Sequence, residues 1–400
     1  MIRDGVGATS MGRGGANIAC GDNAAVILDN PAGMLGVDGE GLFELSLDGL
    51  LLDLSYADPF TADHAAARPL GLPEIGIIRR SAEGTWAWGV GVVAPAGFGA
   101  NFDLEDPVFG RQVYSSFGAL AKILPAAACQ LTERLSLGAT LGMGISQAAF
   151  AGPFHLQTGP LRGAPTIVDV RATGASLVWS VGAQYQLTEA TTLGLAYQSE
   201  SRFQLDGNAT VDILGLGPAP VTSDFDAQLD LAWPQSLGVG IAHEFACQHR
   251  IAADAVWINW AGAFDNMGIH LGDSSNPLVS QLLAPTLSDQ LPFDWRNSVS
   301  FRLGYEFFVT PSVVLRAGYV HNLNQVPDGT LTPYIPAIVE HALSLGWGFR
   351  GDWCDLDVAY QLAFGPDRSV EASDLAGGDF DGAEYNARAY WLAIALRRRF

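Results

Sequence analysis

The sequence predicts an all-β membrane protein, a closed antiparallel β-barrel, on three observations. Only 16% of the 400 residues are charged, against roughly 25% in a typical soluble protein. No apolar run reaches the ~18 residues that a membrane-spanning helix needs. Short polar turns alternate along the chain with long loops rich in Gly, Pro, Asp and Asn. A helical membrane protein is therefore excluded, and the barrel is the remaining membrane class.

The turns also predict the number of strands. Six short polar breaks lie between strand-like runs, at residues 81–84, 132–134, 188–190, 247–249, 310–312 and 351–353. Seven longer polar segments separate the resulting pairs of strands, at 58–72, 97–113, 159–165, 207–221, 272–291, 325–337 and 365–384. Six turns and seven loops are thirteen connections, which predicts fourteen strands. An even number returns the C-terminus to the side where the first strand begins, as in outer-membrane barrels.

The strand-like runs alternate apolar residues with small or polar ones. In the run 295–307, every odd position from Val299 to Phe307 is apolar, and the positions between them are small or polar. The same period of two recurs at 342–349 and 355–362. A soluble β-sandwich would carry charge on its outward face, but here the second face is largely Gly, Ala and Ser. Such a face suits the crowded interior of a barrel.

The charge balance excludes further classes of partner. The chain has 42 acidic and 21 basic residues and a net charge of −21, so no positive field attracts phosphates and no nucleic-acid partner is expected. The four cysteines form no Cys-x-x-Cys pair and are predicted to be free thiols. The seven histidines show no metal-ligand spacing, and His243-Glu244 lacks the second His of a metalloprotease motif. We expect no metal site, no cofactor and no enzymatic activity.

The first forty residues depart from the strand pattern. They carry a dense run of glycines at 5–16 and an Asn-Pro-Ala motif at Asn30, Pro31 and Ala32. The run is no phosphate loop, because no strand precedes it and no Gly-Lys-Ser/Thr closes it. Here the sequence resembles the FadL family of outer-membrane transporters, whose N-terminal hatch carries such a run and motif. Further blocks that resemble this family lie at 231–236, 254–260, 315–319 and 326–328.

The resemblance implies both an architecture and a transport route. A hatch of residues 1–40 would plug a fourteen-stranded barrel of residues 41–400. Hydrophobic small molecules, such as long-chain fatty acids or aromatic and aliphatic hydrocarbons, would be taken up passively. They would leave by lateral diffusion through a gap that an inward kink of the third strand makes. We expect the kink at Pro95, Ala96 and Gly97, because proline removes a ladder donor; the alternative is an ordinary strand end.

The candidate ligand contacts are apolar side chains that the strand register does not point toward lipid, or that lie on loops covering the barrel. For each of them the alternative is ordinary packing. The strand 135–157 has no Arg or Lys, so His155 is its one candidate partner for a carboxylate. This departs from fatty-acid members of the family and favours neutral ligands. The predicted ligand-binding residues are Phe98, Phe102, Phe109, Phe150, Phe154, His155, Leu282, Leu283 and Leu287.

Several charged residues are predicted by register to face the lumen. Arg296, Arg302 and Arg316 could bind a carboxylate there. The favoured interpretation, however, is that they form a structural charge network with acidic residues that also point inward. The acids predicted to point inward are Asp230, Glu306, Asp355 and Asp357.

The resemblance further implies localisation in the outer membrane of a Gram-negative-type bacterium. No apolar segment follows Met1, so the chain is expected to lack its signal peptide. Expected partners are the hydrophobic ligand and outer-membrane lipid and lipopolysaccharide, with the barrel a monomer. A general diffusion porin is the alternative function, but it would lack the glycine-rich hatch. A structural or adhesive barrel would need no kinked strand.

Overall fold

The computed structural model describes residues 2–158, 162–215, 220–246, 248–283 and 286–400, apart from the side chains of Leu282 and Leu283. In chain order the strands are β1 (Gly41–Ala57), β2 (Ala62–His64), β3 (Leu70–Arg80), β4 (Trp86–Asp106), β5 (Gly110–Gln130), β6 (Leu135–His155), β7 (Pro165–Thr188), β8 (Thr191–Gln198), β9 (Ser201–Ile213), β10 (Val221–Trp233), β11 (Ser236–Phe245), β12 (His249–Ile258), β13 (Asn266–Gly272), β14 (Thr286–Pro292), β15 (Ser298–Thr310), β16 (Val313–Asn322), β17 (His341–Arg350), β18 (Asp355–Phe364), β19 (Arg368–Ser369) and β20 (Glu384–Arg399). The α-helices are α1 (Gly7–Gly12), α2 (Val26–Asp29), α3 (Trp260–Ala263) and α4 (Pro277–Leu283), and 3-10 helices span Pro31–Gly36 and Asp328–Thr330. Within these ranges no helix has the length and hydrophobicity to cross a membrane.

The strands form one closed antiparallel barrel. β1 pairs with β20 from Leu42 opposite Arg399 to Ala57 opposite Glu384, and this pairing closes the cylinder. Four barrel strands are each interrupted once, so that β8 continues as β9, β10 as β11, β12 as β13 and β14 as β15. β2 and β19 are short additions to β1 and β20. Over the described residues the barrel has fourteen strands, which confirms the number predicted from the turns.

The outer face shows the predicted alternation near the end of the barrel that carries the short turns, here called the turn end. Leu343 and Leu345 are 51% and 66% exposed, whereas Ala342 and Ser344 are 0% and 3% exposed. Exposed leucines in every second position are unfavourable in water but match the acyl chains of a bilayer. This band therefore faces lipid.

The alternation reverses toward the opposite end, here called the loop end. In β11 the apolar residues Leu237 and Val239 point outward, but in β10 the apolar residues Leu229 and Leu231 are buried and Asp230 is exposed. The interruption between the two pieces shifts the side-chain register by one residue, and such a shift exchanges the two faces of a strand. The prediction that Asp230 faces inward is therefore wrong, because it extended the register of one piece into the next.

The prediction for Arg296 is wrong for the same reason. Arg296 lies in the interruption between β14 and β15 and is exposed, whereas the adjacent Trp295 is buried in the interior. Past the interruptions the polar face of the wall points outward and the apolar face inward. This arrangement is the one expected where the wall projects beyond the bilayer into water.

The N-terminal segment lies inside the barrel over residues 2–35, whereas residues 38–40 are exposed. Helix α1 packs against β1, β16, β17, β18 and β20, and the 3-10 helix Pro31–Gly36 packs against β5, β6 and β7. Glycines bring the backbones close: a Cβ at Gly138 on the wall would overlap the backbone of Pro31 and Ala32. Cys20, Cys129 and Cys354 are free thiols, and Cys247 lies outside the described residues.

Candidate functional site

The Asn-Pro-Ala motif fixes the N-terminal segment to the wall. The Asn30 side-chain oxygen accepts a hydrogen bond from the Ala32 amide at 3.2 Å and caps the 3-10 helix that Pro31 begins. Its side-chain amide donates to the carbonyls of Ile18 at 2.8 Å and Ala183 at 3.0 Å. Asn30 thus links two parts of the segment and strand β7. This is a structural role, whatever part the motif plays in transport.

A buried ionic cluster joins the same segment to the opposite wall. Arg13 contacts Asp22 at 2.9 Å and Glu306 at 3.0 Å, and Arg316 contacts Glu306 and Asp357, both at 2.7 Å. Burial alone would raise the pKa of Asp22, but Arg13 and Arg250 hold this pKa well below its usual range. The cluster also contains Glu44, Arg250, Arg350, Asp355 and Arg397. Because Glu306 and Arg316 satisfy each other, their geometry favours a structural network over a carboxylate site.

The wall is broken between β3 and β4. These strands pair only from Arg80 opposite Ala87 to Ile75 opposite Val92, while β4 continues to Asp106. The ladder between β4 and β5 shifts its register between Val93 and Ala96, around Pro95. Proline cannot donate to a ladder, so the strand bends away from its neighbour at this position. Pro95, Ala96 and Gly97 thus lie where β4 leaves β3, within β4 and not in a loop after it.

The first residues of the described chain occupy this break. Ile2 forms an isolated antiparallel bridge with Ala96, and the Arg3 amide donates to the Pro95 carbonyl at 2.9 Å. The Arg3 guanidinium forms ion pairs with Asp48 on β1 and Glu74 on β3. Arg3 therefore ties the N-terminal segment to strands on both sides of the break.

An apolar crevice, here called the upper crevice, lies at the loop end between β6 and β7 on one side and β13 and β14 on the other. Among the predicted ligand contacts, Phe150, Phe154, His155 and Leu287 line it. Nδ1 of His155 lies 2.7 Å from an Asp379 carboxylate oxygen, and its ring contacts Phe109 edge-on at 5.3 Å. The other lining residues are Leu156, Gln157, Thr166, Val168, Val170, Val211, Met267, Ile269, Leu271, Asp289 and Leu291.

The remaining predicted contacts lie elsewhere. Phe102 is buried against Tyr56, at 6.1 Å between ring centroids, and does not line the upper crevice. Phe98 lies below the crevice, 5.8 Å from Phe150. The side chains of Leu282 and Leu283 lie outside the described part of the structure.

Two aromatic residues missed in the sequence complete this region. Tyr334, from the loop before β17, stacks on Phe154 at 4.5 Å and donates to the Pro153 carbonyl at 2.8 Å. Trp233 ends β10 and lies 6.3 Å from Phe98. The loop of Tyr334 reads as polar and solvent-exposed, so no local signal shows that it folds back into the barrel. Trp233 stood in a recognised sequence block, but not as a candidate contact.

A second void, here called the lower cavity, lies between the N-terminal segment and the broken wall. Its lining includes Ile2, Pro95 and Trp233, and three cations, Arg3, Lys122 and Arg302. Arg302 makes long contacts to the Gly15 carbonyl at 3.4 Å and Ser300 Oγ at 3.3 Å. Lys122 is the only lysine of the chain and is 8% exposed. No carboxylate in the described ranges forms an ion pair with it.

A closed barrel filled by its own N-terminal segment, with a lipid-facing band and a break in its wall, defines a class of outer-membrane channel. The chain belongs to the family of outer membrane protein transport proteins (OMPP1/FadL/TodX), whose model matches residues 4–400. It is thus an outer-membrane transport protein, as the sequence blocks predicted. The family consists of transport channels, not enzymes.

Solved structures share this fold at low sequence identity. The Pseudomonas putida toluene transporter TodX matches with a TM-score of 0.83 and 18% identity, over 100% of this chain and 99% of that one. The Ralstonia pickettii toluene transporter TbuX matches at 0.78 and 20%, over 100% and 99%. The monoaromatic hydrocarbon channel CymD matches at 0.76 and 20%, over 100% and 98%. Comparison with functionally curated proteins gives no match.

Proposed function

We propose that this protein takes up hydrophobic small molecules, hydrocarbons in particular, by passive lateral diffusion. The observation that carries the proposal is the break between β3 and β4, which lies beside the lower cavity at Pro95 and Ala96. An apolar molecule would pass from the upper crevice to the lower cavity and leave through the wall into the bilayer. The toluene transporters and the monoaromatic hydrocarbon channel that share the fold support this ligand class.

The route follows from the free energy of apolar solutes. The free energy of a hydrocarbon falls by about 25 cal/mol for each Å² of its surface that leaves water. Movement along an apolar path that ends in lipid is therefore favourable. A water-filled pore would instead return the molecule to water in the periplasm. No energy source is needed for lateral release, and no reaction is required of the protein.

The N-terminal segment would act as the hatch, with residues 1–40 as the moving part and 41–400 as the fixed barrel. In the structure Ile2 and Arg3 occupy the break. Opening would require the bridge to Ala96 and the ion pairs of Arg3 to be released. The segment also fills the barrel interior, which does not favour the alternative of a general diffusion porin.

A second candidate ligand class is an amphiphile with one carboxylate, such as a long-chain fatty acid. The observation that favours it is Lys122, a buried cation that lines the lower cavity and forms no ion pair with any residue that the structure describes. Burial of a charge without a partner is costly, and a bound carboxylate would supply the partner. His155 is the less suitable candidate, because Asp379 already pairs with it.

The remaining attributes are proposed on weaker support. We infer a monomer without catalytic function that sits among outer-membrane lipid and lipopolysaccharide. The closed β1 to β20 seam supports the monomer, since the barrel needs no second chain to complete its wall.

A reversible cross-link tests the route. Ile2→Cys with Ala96→Cys, in a background with the native cysteines replaced by serine, would tie the segment into the break. Cells that lack their own transporters should take up radiolabelled toluene through the reduced protein and lose this uptake on oxidation. Ser344→Cys with Gln361→Cys, paired across β17 and β18, is the matched control that leaves the break free.

Three results would contradict the proposal. Undiminished toluene uptake with the Ile2–Ala96 cross-link formed would exclude the lateral route. No toluene uptake by the reduced protein would exclude the ligand class. Free passage of small hydrophilic solutes and ions in planar bilayers, with no toluene uptake, would establish the porin.

A further inference from the structure

The upper crevice and the lower cavity are separated by aromatic rings. Phe150 lines the crevice, and Trp233 lines the cavity. The ring of Phe98 lies between them, at 5.8 Å from Phe150 and 6.3 Å from Trp233 between centroids. We infer that Phe98 and Trp233 form an inner gate, whose opening sets the width of the molecules that pass from the crevice to the cavity. The inference rests on the proposed function.

Trp233 is the fixed side of this gate. It is 2% exposed, and its indole N–H donates to Ser146 Oγ at 3.0 Å. Ser146 in turn donates to the Ala119 carbonyl at 3.1 Å, which ties the indole to the backbone of β5. On its other side the indole lies 6.1 Å from the ring of Phe264. A buried aromatic ring with a satisfied N–H and ring neighbours has no freedom to swing.

Phe98 is the moving side. It follows Pro95 by three residues on β4, beyond the last pair with β3, so it belongs to the part of the strand that no longer pairs with β3. Its ring rests against Gly118 on β5, where an added Cβ would overlap the ring atoms. The ring therefore lies against bare backbone on the β5 side, and the rings of Phe150 and Trp233 are its aromatic neighbours. A movement of β4 at the break displaces the Phe98 ring from Trp233.

This placement couples the two openings of the route. The rearrangement that removes Ile2 and Arg3 from the break between β3 and β4 also moves Phe98. The ligand therefore leaves the lower cavity for lipid at the same time as the next ligand can enter it from the upper crevice. The gate then acts on the width of a rigid molecule. One extra methylene in a fitted pocket lowers the preference for a substrate about 10 to 200-fold. A hydrocarbon with an added fused ring should therefore pass the gate much more slowly than toluene.

Uptake of aromatic hydrocarbons of increasing width tests the gate. Cells that lack their own transporters would be given radiolabelled toluene, naphthalene and phenanthrene at equal free concentration. Phe98→Ala should raise the ratio of phenanthrene to toluene uptake about tenfold, and Trp233→Phe should raise it less. The double variant should fall short of the product of the two effects, because both residues belong to one gate.

A matched control and the contrary outcomes complete the test. Leu104→Ala removes a buried side chain from the same strand, away from the gate, and should leave the ratio unchanged. Heat-modifiable migration in gels shows which variants form a barrel. If Phe98→Ala does not fold, the uptake ratio of Trp233→Phe tests the gate instead. An unchanged ratio in the folded variants, with toluene uptake by the wild type intact, would overturn the gate. No toluene uptake by the wild type would overturn the proposed function instead.

Discussion

The amide of Arg3 donates to the carbonyl of Pro95, three residues past the last pair between β4 and β3. Proline interrupts the ladder of the wall, and the N-terminal segment supplies a donor to the bent strand. The guanidinium of the same arginine pairs with Asp48 and Glu74 on the other side of the break. Arg3 thus links β4, through its backbone, to β1 and β3, through its side chain.

Replacement of Arg3 by alanine should destabilise the closed state. Asp48 and Glu74 would be left buried without their partner, which costs about 3–5 kcal/mol. Thermal unfolding in detergent should show a lower midpoint, and ion conductance through single channels should rise. Arg79→Ala is the control, because the half-exposed Arg79 lies 3.7 Å from Glu40 and 5.0 Å from the Phe400 ring centroid and has no buried partner among the described residues; it should change stability by less than about 1 kcal/mol. Equal effects of the two variants would contradict the closing role of Arg3.

Replacement of Pro95 by alanine should lower transport. The new N–H permits regular pairing in β4, so we expect a narrower break and slower toluene uptake by cells, with the barrel still folded. Pro125→Ala on β5 is the control, since Pro125 lies opposite Val90 in a regular ladder. Uptake by the Pro95 variant at the wild-type rate would show that the break does not depend on this proline.

Replacement of Glu306 by glutamine should loosen the N-terminal segment. Glu306 accepts from Arg13, Arg250 and Arg316, and loss of its charge leaves these cations underpaired at a cost of about 3–5 kcal/mol. Glu244→Gln removes another partner of Arg250, but at an exposed position, and should cost less than about 1 kcal/mol. Denaturant titration of the two variants measures this difference, and similar midpoints would refute it.

The docking of the segment should depend on pH through Asp22. Its pKa is well below the usual range in the folded protein, so its stabilisation is present above the unfolded pKa, about 3.9, and is lost as the pH falls through the folded value. Asp22→Asn should be less stable than the wild type at pH 7, and the difference should shrink in strong acid. A difference that stays constant down to pH 2 would show that Asp22 does not titrate as described.

Replacement of Lys122 by methionine separates the two ligand classes. Methionine is unbranched and only one atom shorter than lysine, and it carries no charge. If a carboxylate binds there, uptake of oleate should fall about tenfold or more, as expected for a lost charge-assisted contact, while toluene uptake is kept. Unchanged oleate uptake in the folded variant would exclude Lys122 as the partner of a carboxylate.

The sequence contained the number and direction of the strands, because turn residues and a period of two are local signals. Its register was reliable only within an uninterrupted strand. Asp230 and Arg296 were misplaced because each lies at or beyond an interruption, where the alternation shifts by one residue. The proline at 95 lies at the register shift between β4 and β5, but nothing in the sequence predicted that Ile2 and Arg3 would occupy the break beside it.

The ligand path was less predictable for a physical reason. Its walls come from residues far apart in the chain, such as Phe154 and Tyr334, and from loops that fold inward. Lys122 stood out in composition as the only lysine, yet its place in the cavity depends on the pairing of β4, β5 and β6. Long-range contacts of this kind leave no periodic trace in the sequence.

The reversal of the wall between Asp230 and Leu237 has a mechanical consequence. Leu237 lies in the lipid-facing band, and Asp230 lies on the face turned to water. If this strand moved deeper into the membrane, the Asp230 carboxylate would enter hydrocarbon. If it moved outward, Leu237 would be exposed to water. Both displacements raise the free energy, so the barrel keeps a fixed depth in the membrane. The crevice rim thus stands clear of the bilayer surface, where a solute meets the protein before it meets the lipid.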